Sequence, residues 1–91
     1  MYDKQNDEFE SEIWIMDSNG EDKRFFLEGS NPKWSADNSE VAFIKADEND
    51  VSQIFIKDLE SQTETQITNV DKGVKDFAWS PDDKKIAFSV F

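Results

Sequence analysis

Trp34-Ser35-Ala36-Asp37-Asn38-Ser39-Glu40-Val41-Ala42-Phe43 returns 45 residues later as Trp79-Ser80-Pro81-Asp82-Asp83-Lys84-Lys85-Ile86-Ala87-Phe88. Trp, Ser, Asp, Ala and Phe keep their places, and Val41 is matched by Ile86. A second block, Ile13-Trp14-Ile15-Met16-Asp17, is echoed 41 residues later by Ile54-Phe55-Ile56-Lys57-Asp58. Self-similarity at this period, with short strands inside each unit, predicts an array of β-propeller blades.

Turn and strand signals divide the chain accordingly. Residues 1–12 are polar and acidic and suit an arm, with Tyr2 and Phe9 as possible anchors. Strands are predicted over Ile13–Met16 and Lys23–Leu27, around a hairpin in which Asn19-Gly20 supplies the positive φ angles. Further strands are predicted over Asn31–Trp34, Glu40–Lys45, Gln53–Lys57, Thr63–Thr68, Val74–Trp79 and Lys85–Val90. Ile-Trp-Ile, Ile-Phe-Ile and Val-Ala-Phe-Ile are continuously apolar, the pattern of strands covered on both faces. Blades stacked between neighbours provide that environment. No segment holds a 3.6-residue period, so no helix is expected.

Trp79-Ser80-Pro81-Asp82 through Lys84-Lys85-Ile86-Ala87-Phe88 resembles the TolB-type propeller repeat, and so does Ile13-Trp14-Ile15-Met16-Asp17-Ser18-Asn19-Gly20. The same repeat builds the N-terminal propellers of prolyl-oligopeptidase-type serine peptidases. The resemblance covers about residues 13–91 and implies an all-β fold of four-stranded antiparallel blades. Three positions depart from the family pattern. Ala36 replaces a Pro, and Asn38 and Asp83 stand where Gly is usual, although Asn and Asp tolerate the left-handed conformation.

The resemblance also sets the phase. Residues 13–30 form the outer half of a blade, 31–70 a complete blade and 71–91 the inner half of another. The two half-blades are complementary, so one copy could complete another. Two blades' worth per chain gives a closed ring with three copies, or four as the alternative. Ile13, Trp14 and Ile15 would then meet Ile86, Phe88 and Val90 of a neighbour. So clean a phase in so short a chain reads as an excised or engineered fragment.

Composition narrows the function. The net charge of −11 argues against nucleic acid and anionic membranes as partners, since both need basic surface. With neither Cys nor His, disulfides, thiol nucleophiles, Cys/His zinc sites and histidine bases are excluded. No apolar run has the length of a membrane span and no signal peptide is recognised, so the chain as given reads as soluble, with no compartment specified.

Individual residues point the same way. Trp34 and Trp79 read as aromatics packed between blades, and Asp37 and Asp82 as acceptors of hydrogen bonds within their own turns. Ser35 and Ser80 have no base partner and no Gly-x-Ser-x-Gly elbow. Asp17, Asn19 and Asp22 lack the twelve-position ligand pattern and closing Glu of a calcium loop. No catalytic, cofactor or metal site is therefore expected. The leading expectation is a structural propeller unit that assembles with itself. A section of a peptidase's substrate-gating propeller is the alternative, and a peptide- or protein-binding module is the third reading.

Overall fold

The computed structural model describes residues 11–91, and Tyr2, Phe9 and most of the acidic arm lie outside them. The described residues form sheets of two, four and two strands, the pattern of a half, a whole and a half blade. They fall into two units, meeting between Ser30 and Asn31.

In the first unit, β1 (Glu12–Ile15) pairs antiparallel with β2 (Arg24–Glu28). Ile13 lies opposite Leu27, and both are buried. The register shifts between Ile13 and Trp14, so Trp14 comes opposite Phe25. Their exposed rings meet edge to face at 6.0 Å. The expected hairpin turn lies between β1 and β2, but the positive φ angles fall only partly where expected. Gly20 (φ 90°) and Asp22 (φ 60°) are left-handed there, and Asn19 is not. The cause is local: Asn19 Oδ1 accepts the Glu21 N–H at 3.0 Å, and the Asp17 carbonyl accepts the Gly20 N–H at 2.8 Å. The side chain thus closes the turn while the Asn backbone keeps an ordinary φ.

The second unit contains the complete blade, ordered β3 (Ser30–Trp34), β4 (Glu40–Ala46), β5 (Ser52–Asp58), β6 (Glu64–Gln66). Strands β4 and β5 pair antiparallel over their whole length, with Phe43 opposite Phe55 and Ile44 opposite Ile54. The two Phe rings stack at 6.0 Å. Because side chains alternate across a strand, Val41 and Phe43 take one face of β4 while Ala42 and Ile44 take the other. All four are buried, as a continuously apolar strand requires.

The following half-blade is β7 (Val74–Trp79) with β8 (Ile86–Val90). Val74 and Phe77 of β7 pack on Ala42, Ile44 and Ile54 to form the core, edged by Ile56, Val70, Trp79 and Ile86. Each large side chain buried here contributes about 1.5–3 kcal/mol before ordering costs.

The predicted outer strand Thr63–Thr68 is shortened to Glu64–Gln66. The Ile67 N–H still donates to the Ile54 carbonyl at 2.9 Å. One step further, Thr68 Oγ1 takes the Ile54 N–H at 2.9 Å in place of a main-chain carbonyl. A side chain has entered the ladder, and the regular strand stops. Gln53 explains why: it is fully buried and lies 2.6 Å from the donating Thr68 hydroxyl. Its Oε1 also accepts the Val70 N–H at 3.1 Å. Its Nε2 donates to the Val70 carbonyl at 2.9 Å and to Asp47 Oδ2 at 3.2 Å. Both donors and both lone-pair directions of the amide are thereby used.

Candidate functional site

The Trp-Ser-x-Asp turns are built twice from the same bonds. Ser35 Oγ donates to Asp37 Oδ1 at 2.8 Å and accepts the Glu40 N–H at 3.1 Å. Ser80 Oγ donates to Asp82 Oδ1 at 2.6 Å and accepts the Lys85 N–H at 3.0 Å. The main chain repeats as well, with Asn38 N–H on Ser35 O and Asp83 N–H on Ser80 O, each at 3.0 Å. Asn38 and Asp83 both adopt φ 64°, the left-handed conformation their position demands.

These bonds settle what the carboxylates and hydroxyls are for. The Ser39 hydroxyl, then its N–H, then the Ser35 hydroxyl hold Asp37 below the ordinary aspartate value. The Ser80 hydroxyl and then the Lys84 N–H do the same for Asp82. A carboxylate stabilised in this way is a weak base. The serine protons are committed to it, and the geometry closes a turn rather than arming a nucleophile.

The turns also meet each other. Asp83 Oδ1 and Oδ2 accept the Ala36 N–H at 2.8 and 3.0 Å, and Oδ2 accepts the Asp37 N–H at 3.4 Å. Trp79 Nε1 donates to the Lys33 carbonyl at 3.0 Å. The Lys33 ammonium lies 3.7 Å from the Asp76 carboxylate and 5.2 Å from the centre of the Phe77 ring. Together these contacts clasp the β7–β8 half-blade to the complete blade. Ala36 and Asp83 are two departures from the family pattern, and they are partners: a Pro at 36 would have no N–H, and a Gly at 83 no carboxylate. The sequence singled out both positions, but they are 47 residues apart and nothing linear joins them.

The candidate joint residues are divided. Ile13 is buried and Ile15 half-buried, whereas Trp14 is exposed. On the other half-blade Ile86 packs at the rim of the core, and Phe88 and Val90 are exposed. Among the described residues β1 pairs only with β2, and β8 only with β7. The two tryptophans of the repeat also differ. Trp79 is docked and part-buried, but Trp34 is 53% exposed. Trp79 has β3 of its own unit to lie against.

Asp17, Asn19 and Asp22 serve local roles, Asp22 pairing with the Arg24 guanidinium. Among the described residues no three His, Cys, Asp or Glu side chains converge to hold a metal ion. An open polar depression is lined by Asp47, Glu48, Asn49 and Gln66 to Asn69. One of its two acids is already engaged: the Val51 N–H, outweighing partial desolvation, and then the Asn49 N–H and Gln53 hold Asp47 below its usual range.

No family model matches the chain. It is 30% identical over 91 residues to the uncharacterized peptidase YuxL of Bacillus subtilis, covering 96% of this chain and 14% of that protein. In structure it is similar to the β-propeller domain of the Trilobed protease from Pyrococcus furiosus, for which an open velcro topology is described. The TM-score is 0.76 and the identity 28%, over 97% of this chain and 29% of that one. The chain thus has the fold of β-propeller blades and is similar to those of a prolyl-oligopeptidase-type protease, and it spans only a propeller portion of the proteins it matches.

Proposed function

We propose that these blades form part of a propeller that gates the entry of peptides to a peptidase catalytic domain. The observation behind this reading is similarity along nearly the whole chain to a peptidase in sequence and to a protease propeller in structure. A ring of blades limits access by size, and these blades contribute wall rather than chemistry: Ser35, Asp37, Ser80 and Asp82 are spent on turns. The test is an exchange of the matched segment of the Pyrococcus furiosus protease for these 91 residues. The chimera should fold, cleave short peptides and spare folded proteins. A folded chimera that digests both sizes alike overturns the proposal.

A second reading is favoured by the exposed Trp34, Phe88, Val90 and Phe91 and by the edge of β8 that has no described strand beside it. Identical chains could close a ring by completing each other's half-blades, with three copies giving six blades and four giving eight. Pairing of β8 with β1 of a neighbour would cover apolar surface and unpaired main-chain groups together. The mass of the chain in solution tests this reading, and a folded monomer at micromolar concentration removes it.

A further inference from the structure

The joint inside the second unit is a template for a face that has no described neighbour. There, Trp79 at the end of one inner strand donates to the carbonyl of Lys33 in the preceding inner strand. A shift of 45 residues carries Trp79 onto Trp34, Lys33 onto Ala78, Asp83 onto Asn38 and Ala36 onto Pro81. The indole of Trp34 has the same place in its turn, yet it is 53% exposed. Trp34 directly follows Lys33, which receives Trp79, in β3, so its side chain takes the opposite face of the same blade.

We propose that the face around Trp34 is a docking surface for β7 of a second copy of this chain, with Trp34 Nε1 donating to the carbonyl of Ala78 in that copy. The inference deepens the self-association reading and rests on it. A chain's own β7 cannot fill this face, since its Trp79 already engages Lys33 on the same blade. A second copy brings the right inner strand, with a carbonyl at the position equivalent to Lys33.

The template also says how the new joint differs from the old. In the internal joint, the Asp83 carboxylate gathers the N–H groups of Ala36 and Asp37. In the joint between copies Asn38 replaces Asp83, and it faces Pro81, which has no N–H. Only the Asp82 N–H remains as a donor in that clasp, and a neutral amide accepts it less strongly than a carboxylate would. The joint between copies therefore depends on the indole, is weaker than the internal one, and assembles reversibly.

Sedimentation equilibrium of the 91-residue chain and of Trp34→Ala, Trp34→Phe and Ile67→Ser tests this, with circular dichroism to confirm folding. The parent should associate with itself. Trp34→Ala should raise the dissociation constant by about tenfold or more, as loss of a buried aromatic anchor does. Trp34→Phe keeps a ring but loses the donor and should fall between parent and Ala. Ile67→Ser, at an exposed outer position, should match the parent. If Trp34→Ala fails to fold, the Phe variant decides. A parent that stays monomeric removes the self-association reading and this inference with it, leaving the peptidase reading untouched. An oligomer that both Trp34 variants leave equally tight overturns the docking alone.

Discussion

Strands β4 and β8 carry nearly the same sequence and live in different surroundings. Val41, Ala42 and Phe43 of β4 are at most 1% exposed. Their equivalents in β8 are Ile86, half-buried at the core's rim, Ala87, exposed, and Phe88, 47% exposed. The turns preceding these strands behave in the opposite way, repeating their serine–aspartate bonds, with the Ser39 hydroxyl on Asp37 as an addition that Lys84 does not match. Turn geometry is local, set by residues within five positions of one another. Strand burial is supplied by neighbours, and the same residues are core or surface according to what lies against them.

The largest test of this difference is Phe43→Ala. A fully buried Phe reduced to Ala costs about 3–5 kcal/mol, a large part of the roughly 5–15 kcal/mol that holds a domain together. Denaturant titration of the chain should show most of its stability lost. Next is Gln53→Leu, which removes the partners of both the Val70 N–H and its carbonyl. Leaving buried polar groups unpaired costs about 1–3 kcal/mol, and the same titration reads it.

The clasp between the two blades comes next. Ala36→Pro deletes the N–H that Asp83 accepts and should cost about 1 kcal/mol. Asp83→Gly loses the same bond but relieves a left-handed φ, offsetting it by up to about 1 kcal/mol. The double variant should be more stable than the sum of the two single changes by about 0.5–1 kcal/mol. Additive costs would show that the carboxylate and the amide act independently.

Acid sensitivity probes the part that differs least. Asp37 and Asp82 titrate below 3.8 in the fold, so their contribution to stability is complete above the unfolded value, about 3.9. It is lost as pH falls through the lower folded values, because the unfolded chain binds protons first. Asp37→Asn and Asp82→Asn should flatten the acid limb of the stability curve below about pH 4 to similar extents. A strong response from only one would mean that the turns are not equivalent. The smallest effect expected is that of Phe88→Ala on the monomer, under about 0.5 kcal/mol if the site behaves as ordinary surface. Its contrast with Phe43→Ala is the measure of what a neighbouring blade contributes.

Much of this architecture was legible because a repeat is a comparison already made. The period gave the blades, and the resemblance to the TolB-type repeat set their phase. Asn38 and Asp83 were readable as left-handed positions from their residue types. What could not be read depended on contacts between distant residues. Nothing near Gln53 marks it as a buried hub; the equivalent position in the earlier block, 41 residues before, is Glu12. The bond between Asp83 and Ala36 joins two exceptions whose relation appears only when the blades are stacked. Gly20 took the positive φ expected of it, but Asn19 did not, because its side chain closed the turn that its backbone was expected to make.

The Gln53 amide has one consequence beyond its own bonds. It holds the N–H and the carbonyl of a single residue, Val70, as a partner residue does across an antiparallel ladder. The side chain behaves as a strand one residue long, placed where the outer strand has already ended. A slip of Val70 by one position would break both bonds at once, so this residue fixes the register of a segment that lacks a ladder. Its amide proton should accordingly exchange with solvent on the timescale of the sheet, although it lies in a loop.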